Sequence, residues 1–257
     1  MIFVFSGTGN SYVVARRIAD ELGQDLKNIS LQVWNSRWVF DAKGEDVGFV
    51  FPVYYWGLPD QVKKFAEHID VKNAGRTWCV VTCAGESGDA CGMLKKALSG
   101  RLELDACYDV FMPNNAIFYE PGPTEDEVKK ILADADTTVS GIIASIKSRE
   151  SGDFTTMSSK DGAEDMYSHY DADRITDKFR LDPGCIECRV CEEVCSSKVI
   201  RVYHRKPVWD EEKCSMCMAC LNMCPKKVIQ FGDSTVGRRR YYHKEYHKKV
   251  LGIPLRY

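Results

Sequence analysis

Eight cysteines in the last third of the chain carry the clearest chemical pattern. They form two runs with the spacing C-x2-C-x2-C-x3-C, and the second run starts 29 residues after the first, at Cys214 against Cys185, which is an internal repeat. Cysteines three residues apart in a tight loop can place thiolates on three corners of an iron–sulfur cube, and the fourth corner takes a ligand from elsewhere. Zinc also binds four cysteines, but zinc ribbons use C-x2-C pairs and need no third cysteine at that step. Disulfides are a weaker alternative, because such near neighbours would compete for partners.

The two runs resemble those of bacterial two-cluster ferredoxins over about residues 181–232. In that family the fourth cysteine of each run reaches the cluster of the other run. The resemblance therefore implies one [4Fe–4S] cluster on Cys185, Cys188, Cys191 and Cys224, and a second on Cys214, Cys217, Cys220 and Cys195. The first run departs from the pattern in one respect, because Ser196 stands where the second run has Pro225.

A second motif lies at the start of the chain. The apolar run Ile2–Phe5 predicts a buried strand, and 12–22 carries apolar residues at helical spacing. A strand, a hydroxyl-rich glycine turn and a helix together make an anion site from backbone N–H groups and a helix N-terminus. The turn lacks the lysine of a Walker loop, and Tyr12 stands where a dinucleotide fingerprint has its third glycine. The turn consists of Ser6, Gly7, Thr8, Gly9, Asn10 and Ser11.

This turn resembles the phosphate loop of flavodoxins, S/T-x-T-G-N-S/T, and the resemblance extends over about residues 1–148. It implies that the turn holds the phosphate of FMN, and that two further loops meet the flavin ring. Aromatic rings of the first of these loops would stack on the flavin; the alternative is an ordinary aromatic core patch, and the sequence does not indicate which ring stacks. The residues implied are Pro52, Tyr54, Tyr55, Trp56 and Gly57 in the first loop, and Ala84, Gly85 and Gly88 in the second.

The remaining pattern of the first 150 residues alternates strands and helices. Further strands are predicted at 28–33, 47–51, 77–83 and 107–112, and helices at 60–69, 90–98 and 125–146. Thr124 and Glu127 form a capping-box pattern at the start of the last helix. We therefore expect an α/β fold with a flavodoxin-like doubly wound parallel five-stranded sheet in the order 2-1-3-4-5, which places FMN between the first and third strands. A C-terminal α+β two-cluster ferredoxin domain follows, with a hairpin formed by 199–203 and 207–209.

The composition suggests four segments. Residues 1–150 form the flavodoxin-like domain, with 16 Lys and Arg against 21 Asp and Glu. Residues 151–180 are polar and are interpreted as a linker with a short helix near 173–179; the linker either acts as a tether or holds two redox centres together. Residues 181–232 form the ferredoxin domain, and 233–257 a tail with 7 Lys and Arg against 2 Asp and Glu. The tail is interpreted as a helix packed through its tyrosines, a docking face for an acidic redox partner or, least favoured, a nucleic-acid contact.

The four other cysteines, Cys79, Cys83, Cys91 and Cys107, show no pairing pattern. Cys79 and Cys107 lie in predicted strands and are expected in the core, while Cys83 and Cys91 could be redox-active or buried. The N-terminus has no basic region before its short apolar run, and no apolar run is long enough to span a bilayer. We expect a cytoplasmic protein without membrane contact.

The whole chain resembles the fused flavodoxin/ferredoxin proteins of anaerobic bacteria and archaea known as EFR1-family ferredoxins. That resemblance implies electron transfer between FMN, two [4Fe–4S] clusters and redox partner proteins such as ferredoxin-dependent oxidoreductases. A flavin-dependent reductase of a small acceptor, such as a quinone or nitro compound, is the first alternative. A redox-sensing or nucleic-acid-binding protein is the second, and it depends only on the basic tail.

Overall fold

A computed structural model describes residues 1–204 and 206–246; Arg205 of the predicted hairpin and residues 247–257 of the predicted tail lie outside the described residues. The helices are α1 Asn10–Leu22, α2 Ile29–Trp34, α3 Asp60–His68, α4 Ala90–Leu98, α5 Glu125–Lys147, α6 Ala163–Asp173, α7 Val190–Glu193 and α8 Ala219–Asn222. The strands are β1 Ile2–Val4, β2 Leu26–Asn28, β3 Val39–Asp41, β4 Val47–Pro52, β5 Asp70–Lys72, β6 Thr77–Cys83, β7 Ala106–Phe111, β8 Gly152–Asp153, β9 Phe179–Leu181, β10 Ile200–Tyr203, β11 Lys206–Trp209 and β12 Ile229–Phe231.

The N-terminal half contains a parallel sheet with the strand order β2-β1-β4-β6-β7-β8. Strands β3 and β5 pair separately, so the first five strands of the large sheet stand in the predicted order 2-1-3-4-5. The α/β flavodoxin-like class is confirmed, but the prediction of five strands is one too few. The sixth strand, β8, is two exposed residues long, too short and too polar to give a sequence signal.

Two hydrophobic layers cover the sheet. Odd-numbered positions of β1 and β4, such as Phe3 and Phe49, pack against α3 and α4. The alternate positions, such as Val4 and Val50, pack against α1 and α5. Because successive side chains of a strand point to opposite faces, the continuous apolar runs of β4 and β6 mark strands buried on both sides. The loops that follow the carboxyl ends of these strands remain free to form a site.

Two predicted elements are wrong. The sequence predicts a strand over 28–33, but the strand ends at Asn28 and helix α2 follows. The side chain of Asn28 accepts a hydrogen bond from the Leu31 N–H at 2.9 Å, and this cap favours the helix. The predicted helix near 173–179 is instead α6, which ends at Asp173.

The segment 151–180 contacts both halves of the molecule through α6. The Tyr167 hydroxyl donates to the Leu58 carbonyl at 2.8 Å on the flavodoxin-like side. The Tyr170 hydroxyl donates to the Ser215 carbonyl at 2.9 Å on the cysteine-rich side. Arg174 joins both sides, because it donates to the Cys214 carbonyl at 2.8 Å and pairs with Asp60 at 3.1 Å.

The cysteine-rich half repeats its backbone as well as its sequence. Strands β10 and β11 form the predicted antiparallel hairpin, and β9 pairs with β12. Left-handed φ values recur at the offset of 29: Glu187 and Met216 at 61° and 53°, and Arg189 and Met218 at 60° and 55°. Non-glycine residues rarely adopt this region, so its recurrence indicates that both cysteine loops have the same fold.

Candidate redox site

A cavity of about 570 Å³ lies at the carboxyl ends of β1, β4, β6 and β7. This is the position at which doubly wound sheets bind ligands. Most of the sequence-predicted flavin residues line it: Ser6, Gly7, Thr8, Asn10, Ser11, Pro52, Tyr54, Tyr55, Trp56, Ala84 and Gly85. The structure thus brings the three predicted loops together around one space of a size usual for cofactor sites.

Three predicted glycines lie behind the lining instead. Gly9 has a φ of 106°, and a Cβ at this position would lie 2.5 Å from the Cβ of Tyr246. Gly57 packs in the same way against Tyr167. Gly88, with a φ of 55°, packs against Trp56. These glycines allow other segments to approach the site and do not face the cavity.

The turn after β1 is held by hydrogen bonds to other segments. The Thr8 hydroxyl accepts from the Asn115 side chain at 2.9 Å, and the Ser11 hydroxyl bonds that of Thr82 at 2.7 Å. The Asn10 amide donates to the Pro113 carbonyl at 2.9 Å. The loop is therefore fixed by two neighbouring segments, the end of β6 and the loop after β7.

The aromatic loop turns tightly after β4. Tyr54 and Gly57 exchange backbone hydrogen bonds of 3.1 and 2.9 Å, and Tyr55 and Trp56 between them have left-handed φ values of 50° and 59°. Bulky residues seldom adopt this region, and such strain is concentrated at functional sites. The Tyr55 hydroxyl donates to Asp173 at 3.0 Å, which fixes its ring relative to the end of α6.

Sequence reasoning missed a fourth wall, formed by the loop after β7. It contributes Asn114, Asn115, Phe118 and Tyr119 to the lining. Its position directly after the fifth strand of the predicted sheet was a usable signal, because the carboxyl ends of parallel strands share one edge.

The cysteine-rich half supplies the floor of the same cavity. Met216 and Met218, which flank Cys217, line it beside the phosphate loop. A Cβ placed on Gly7 would lie 2.7 Å from the Cys217 carbonyl oxygen and 2.9 Å from its Cβ. The loop that carries Cys217 thus contacts the backbone of the phosphate loop directly.

The eight cysteines of the two runs surround two further cavities. One is lined by Cys185, Cys188, Cys191 and Cys224, and the other by Cys195, Cys214, Cys217 and Cys220. These are the two groups that the crossed ferredoxin pattern implies. The first group is mostly half-exposed and the second mostly buried.

Burial alone disfavours charged thiolates at these positions. It raises the pKa of the Cys191 and Cys214 thiols to about 12, and it also raises the pKa of Cys220 well above the ordinary value. Iron binds thiolates, so the metal itself must stabilise the deprotonated side chains. Four cysteine sulfurs around each cavity form the donor set of a [4Fe–4S] cluster, and the residues fit that group.

The large cavity fits a flavin mononucleotide by two observations. The aromatic residues Tyr54, Tyr55 and Trp56 lie together in its lining, and stacking of flat aromatic rings on a flavin is favourable. The hydroxyl and backbone N–H groups of the phosphate loop provide the donors that a phosphate needs.

Two protein families match separate parts of the chain. Residues 1–114 match the family described as a flavodoxin domain, and residues 184–228 match the 4Fe-4S dicluster domain. The family matches leave residues 115–183 between them.

Two curated proteins are similar to the cysteine-rich part. A subunit of the ion-translocating oxidoreductase complex of Methanosarcina acetivorans is 45% identical over 53 residues, which is 21% of this chain and 20% of that protein. The trans-4-hydroxy-L-proline dehydratase activating enzyme of Clostridioides difficile is 37% identical over 54 residues, which is 21% of this chain and 17% of that protein. The chain therefore spans about a fifth of the length of these relatives.

Within the described part of the chain, none of the helices has the length and apolar character needed to cross a bilayer. The fold, the large cavity, the two cysteine-lined cavities and the family matches all indicate redox chemistry. The chain joins an N-terminal flavodoxin domain to a C-terminal 4Fe-4S dicluster domain, and FMN and two [4Fe–4S] clusters are the cofactors that these two matches indicate.

Proposed function

We propose that the chain is an electron carrier that connects a redox partner protein to FMN through its two cysteine groups. When bound, FMN exchanges electrons one or two at a time, and each [4Fe–4S] cluster exchanges one. The group Cys195, Cys214, Cys217 and Cys220 would hold the inner cluster, next to the flavin cavity. The group Cys185, Cys188, Cys191 and Cys224 would hold the outer cluster.

The contact between Gly7 and Cys217 is the observation that carries this proposal. It joins the loop that binds the FMN phosphate to the loop that binds the inner cluster, with no other residue between their backbones. Met216 and Met218 extend the contact along the cavity floor. Arg174 and Tyr170 of the interdomain segment bond carbonyls of the same inner loop. These bonds hold the two sites at a fixed separation, which a flexible tether would not do.

The outer group offers a place for a partner to bind. Three of its cysteines are half-exposed, and the side chain of Ile186 between them is 40% exposed. Exposed Lys226 and Lys227 follow Cys224, whereas Arg189 in the first loop pairs with Glu192 at 2.6 Å. A half-exposed apolar centre beside two exposed lysines suits a redox protein with an acidic face, since charge complementarity speeds association. The resemblance to one component of an oxidoreductase complex supports a protein partner.

The test is anaerobic stopped-flow reduction of the flavin by a reduced, acidic two-cluster ferredoxin as the donor. The double variant Lys226→Glu/Lys227→Glu should slow the bimolecular rate at low salt by about tenfold or more, since steering by charge contributes factors of 10 to 1000. Lys129→Glu/Lys130→Glu is the matched control, with the same charge change on exposed α5 positions. Photochemical reduction of the flavin should be equal in all three proteins.

Equal donor-driven rates in both double variants and the parent would refute docking at the outer group. Steady turnover of a quinone or nitro compound at a rate that exceeds electron delivery to any protein acceptor would favour the reductase alternative. Cys188→Ala provides the second arm, because it removes an outer ligand and should slow donor-driven but not photochemical reduction.

A further inference from the structure

Three cysteine thiols converge inside the flavodoxin domain, away from both cysteine runs. The Sγ atoms of Cys79, Cys91 and Cys107 all lie within 4.8 Å of one another, and those of Cys79 and Cys91 are 3.4 Å apart. Neither the flavin cavity nor the two cysteine groups uses any of them.

The fold brings these thiols together from three elements. Cys79 and Cys107 are register partners on the neighbouring parallel strands β6 and β7, so their side chains point to the same face of the sheet. Cys91 is the second residue of α4, which packs on that face. Spacings of 12 and 16 residues between the three positions match no short metal motif, and for this reason the sequence pattern did not reveal the group.

The geometry suits a tetrahedral ion. Zinc–sulfur bonds of about 2.3 Å at tetrahedral angles place the sulfurs about 3.8 Å apart, and the observed separations of 3.4 to at most 4.8 Å bracket that value. A small adjustment of side chains would equalise them. A zinc ion bound to three protein sulfurs keeps a fourth position for water or another ligand.

The side chain of Cys107 marks the open side of the group. Cys79 and Cys91 are buried, whereas Cys107 is half-exposed. Asp153 is the register partner of Cys107 on β8, and Asp89 just precedes α4; both carboxylates interact electrostatically with Cys107. A cation would therefore enter past two acidic side chains.

We propose that Cys79, Cys91 and Cys107 form a binding site for a thiophilic divalent cation, with zinc(II) as the ion that fits the geometry. Three thiolates with zinc(II) carry a net charge of −1, and Lys95 on α4 lies within electrostatic reach of Cys107. The ion would join α4 to β6 and β7 directly after the loop that contains Ala84 and Gly85. It would thus stabilise the wall of the flavin cavity without contacting the flavin.

The test uses the full chain with both clusters and FMN, prepared anaerobically and washed with a chelator. One equivalent of zinc(II) is added, the protein is desalted, and zinc and iron are counted by mass spectrometry. We expect one zinc per chain with the iron content unchanged. The extended X-ray absorption fine structure of zinc should show a three-sulfur shell at about 2.3 Å. Cys107→Ser should weaken zinc binding at least about tenfold, since loss of an outer-shell partner alone costs that much. Cys83→Ser is the matched control, because Cys83 is a buried cysteine at the end of β6, the strand of Cys79, and its sulfur contacts Met157 instead of the three thiols.

Four results would overturn the proposal. These are loss of zinc on desalting, a zinc shell of nitrogen and oxygen alone, loss of iron in proportion to zinc uptake, and parent-like zinc retention in Cys107→Ser. If Cys107→Ser does not fold, alkylation of the parent decides the question. Zinc should protect Cys107 from iodoacetamide in peptide mass spectra, and equal modification with and without zinc would contradict the site.

Discussion

Gly7 is the residue at which the loop after β1 meets the loop that carries Cys217. Its φ does not lie in the left-handed range, so alanine would suit its backbone; the space beside it would not accommodate the methyl group. A Cβ would lie within 3.0 Å of the Cys217 carbonyl oxygen, the Cys217 Cβ and the Tyr54 hydroxyl. Contacts this short force neighbouring atoms to move, and overpacking of this kind costs about 1–3 kcal/mol.

We therefore predict that Gly7→Ala weakens FMN binding by about fivefold or more and also changes the electron paramagnetic resonance spectrum of the inner cluster. FMN affinity is measured by fluorescence titration of the flavin-free protein. Gly141→Ala is the control, because it adds the same methyl group at an exposed position of α5, away from the cavity, with no atom within 4 Å of its new Cβ. Parent-like affinity and spectrum in Gly7→Ala would show that the two loops are not in contact.

At this scale the sequence predicted most of the residues that line the large cavity but not what fixes them. The spacing of Ser6 to Ser11 is local, so the phosphate loop could be recognised from a short motif. The bond from Asn115 to Thr8 joins positions 107 residues apart, and no local pattern encodes it. The same holds for Met216 and Met218, whose place in the flavin cavity depends on how two domains pack.

The basic composition of segment 238–246 suggests an external partner, but the segment binds to the protein itself. Its arginines donate to backbone carbonyls of the protein: Arg238 to Ile117 at 2.8 Å, Arg239 to Gly122 at 2.9 Å, and Arg240 to Leu221 at 3.0 Å. These bonds join the loop after β7 to the cysteine-rich domain. The hydroxyl of Tyr241 donates to Asn10 of the phosphate loop at 2.8 Å, and the backbone N–H of His243 donates to the Thr8 carbonyl at 2.8 Å.

The position of His243 gives this segment a pH dependence. Burial lowers the pKa of its imidazole below the ordinary value of 6.5, and its Nδ1 has no partner among the described residues. The folded state therefore keeps the imidazole neutral, whereas the undocked segment binds a proton as the pH falls through about 6.5. Docking of the segment is fully favoured above this pH and weakens below it.

We predict that FMN dissociates faster at pH 5.5 than at pH 7.5, as followed by the rise of flavin fluorescence on dilution. His243→Gln should flatten this dependence. A phosphate group also titrates near pH 6, but that contribution is common to parent and variant, so their difference isolates the histidine. Identical pH profiles of the two proteins would contradict the prediction.

At the element scale, long helices and buried strands could be predicted because their signals are local. The bounds of α4 agree with the prediction, and the capping box of Thr124 and Glu127 is present. Short elements with few apolar residues, such as β8, could not be predicted. Their stability comes from the sheet edge that they join and not from their own sequence.

In the whole molecule, the contacts between the two domains couple the cysteine-rich domain to the flavin cavity, which the two-domain sequence pattern alone would not imply. Two independent domains would let a cluster be lost without effect on the flavin. Here the inner cysteine loop lines the flavin cavity and touches Gly7, while the outer group lies away from it. Loss of the inner cluster should therefore weaken FMN binding, and loss of the outer cluster should not.

A pair of matched variants tests this, together with the crossed ligation. Cys195 lies in the first run but lines the inner cavity, and Cys224 lies in the second run but lines the outer one. We predict that Cys195→Ala damages the inner cluster and weakens FMN binding, because metal binding supplies much of the folding free energy of small metal domains. Cys224→Ala should damage the outer cluster and leave FMN affinity near that of the parent.

Electron paramagnetic resonance of the reduced variants identifies the cluster that each one loses, and flavin titration measures the affinity. Loss of the same cluster in both variants would refute the crossed arrangement. Equal FMN affinity in both would refute the coupling through Gly7 and Cys217, while the crossed arrangement could still hold. Because the two readouts are separate, the ligation and the interdomain contact are tested independently in the same two proteins.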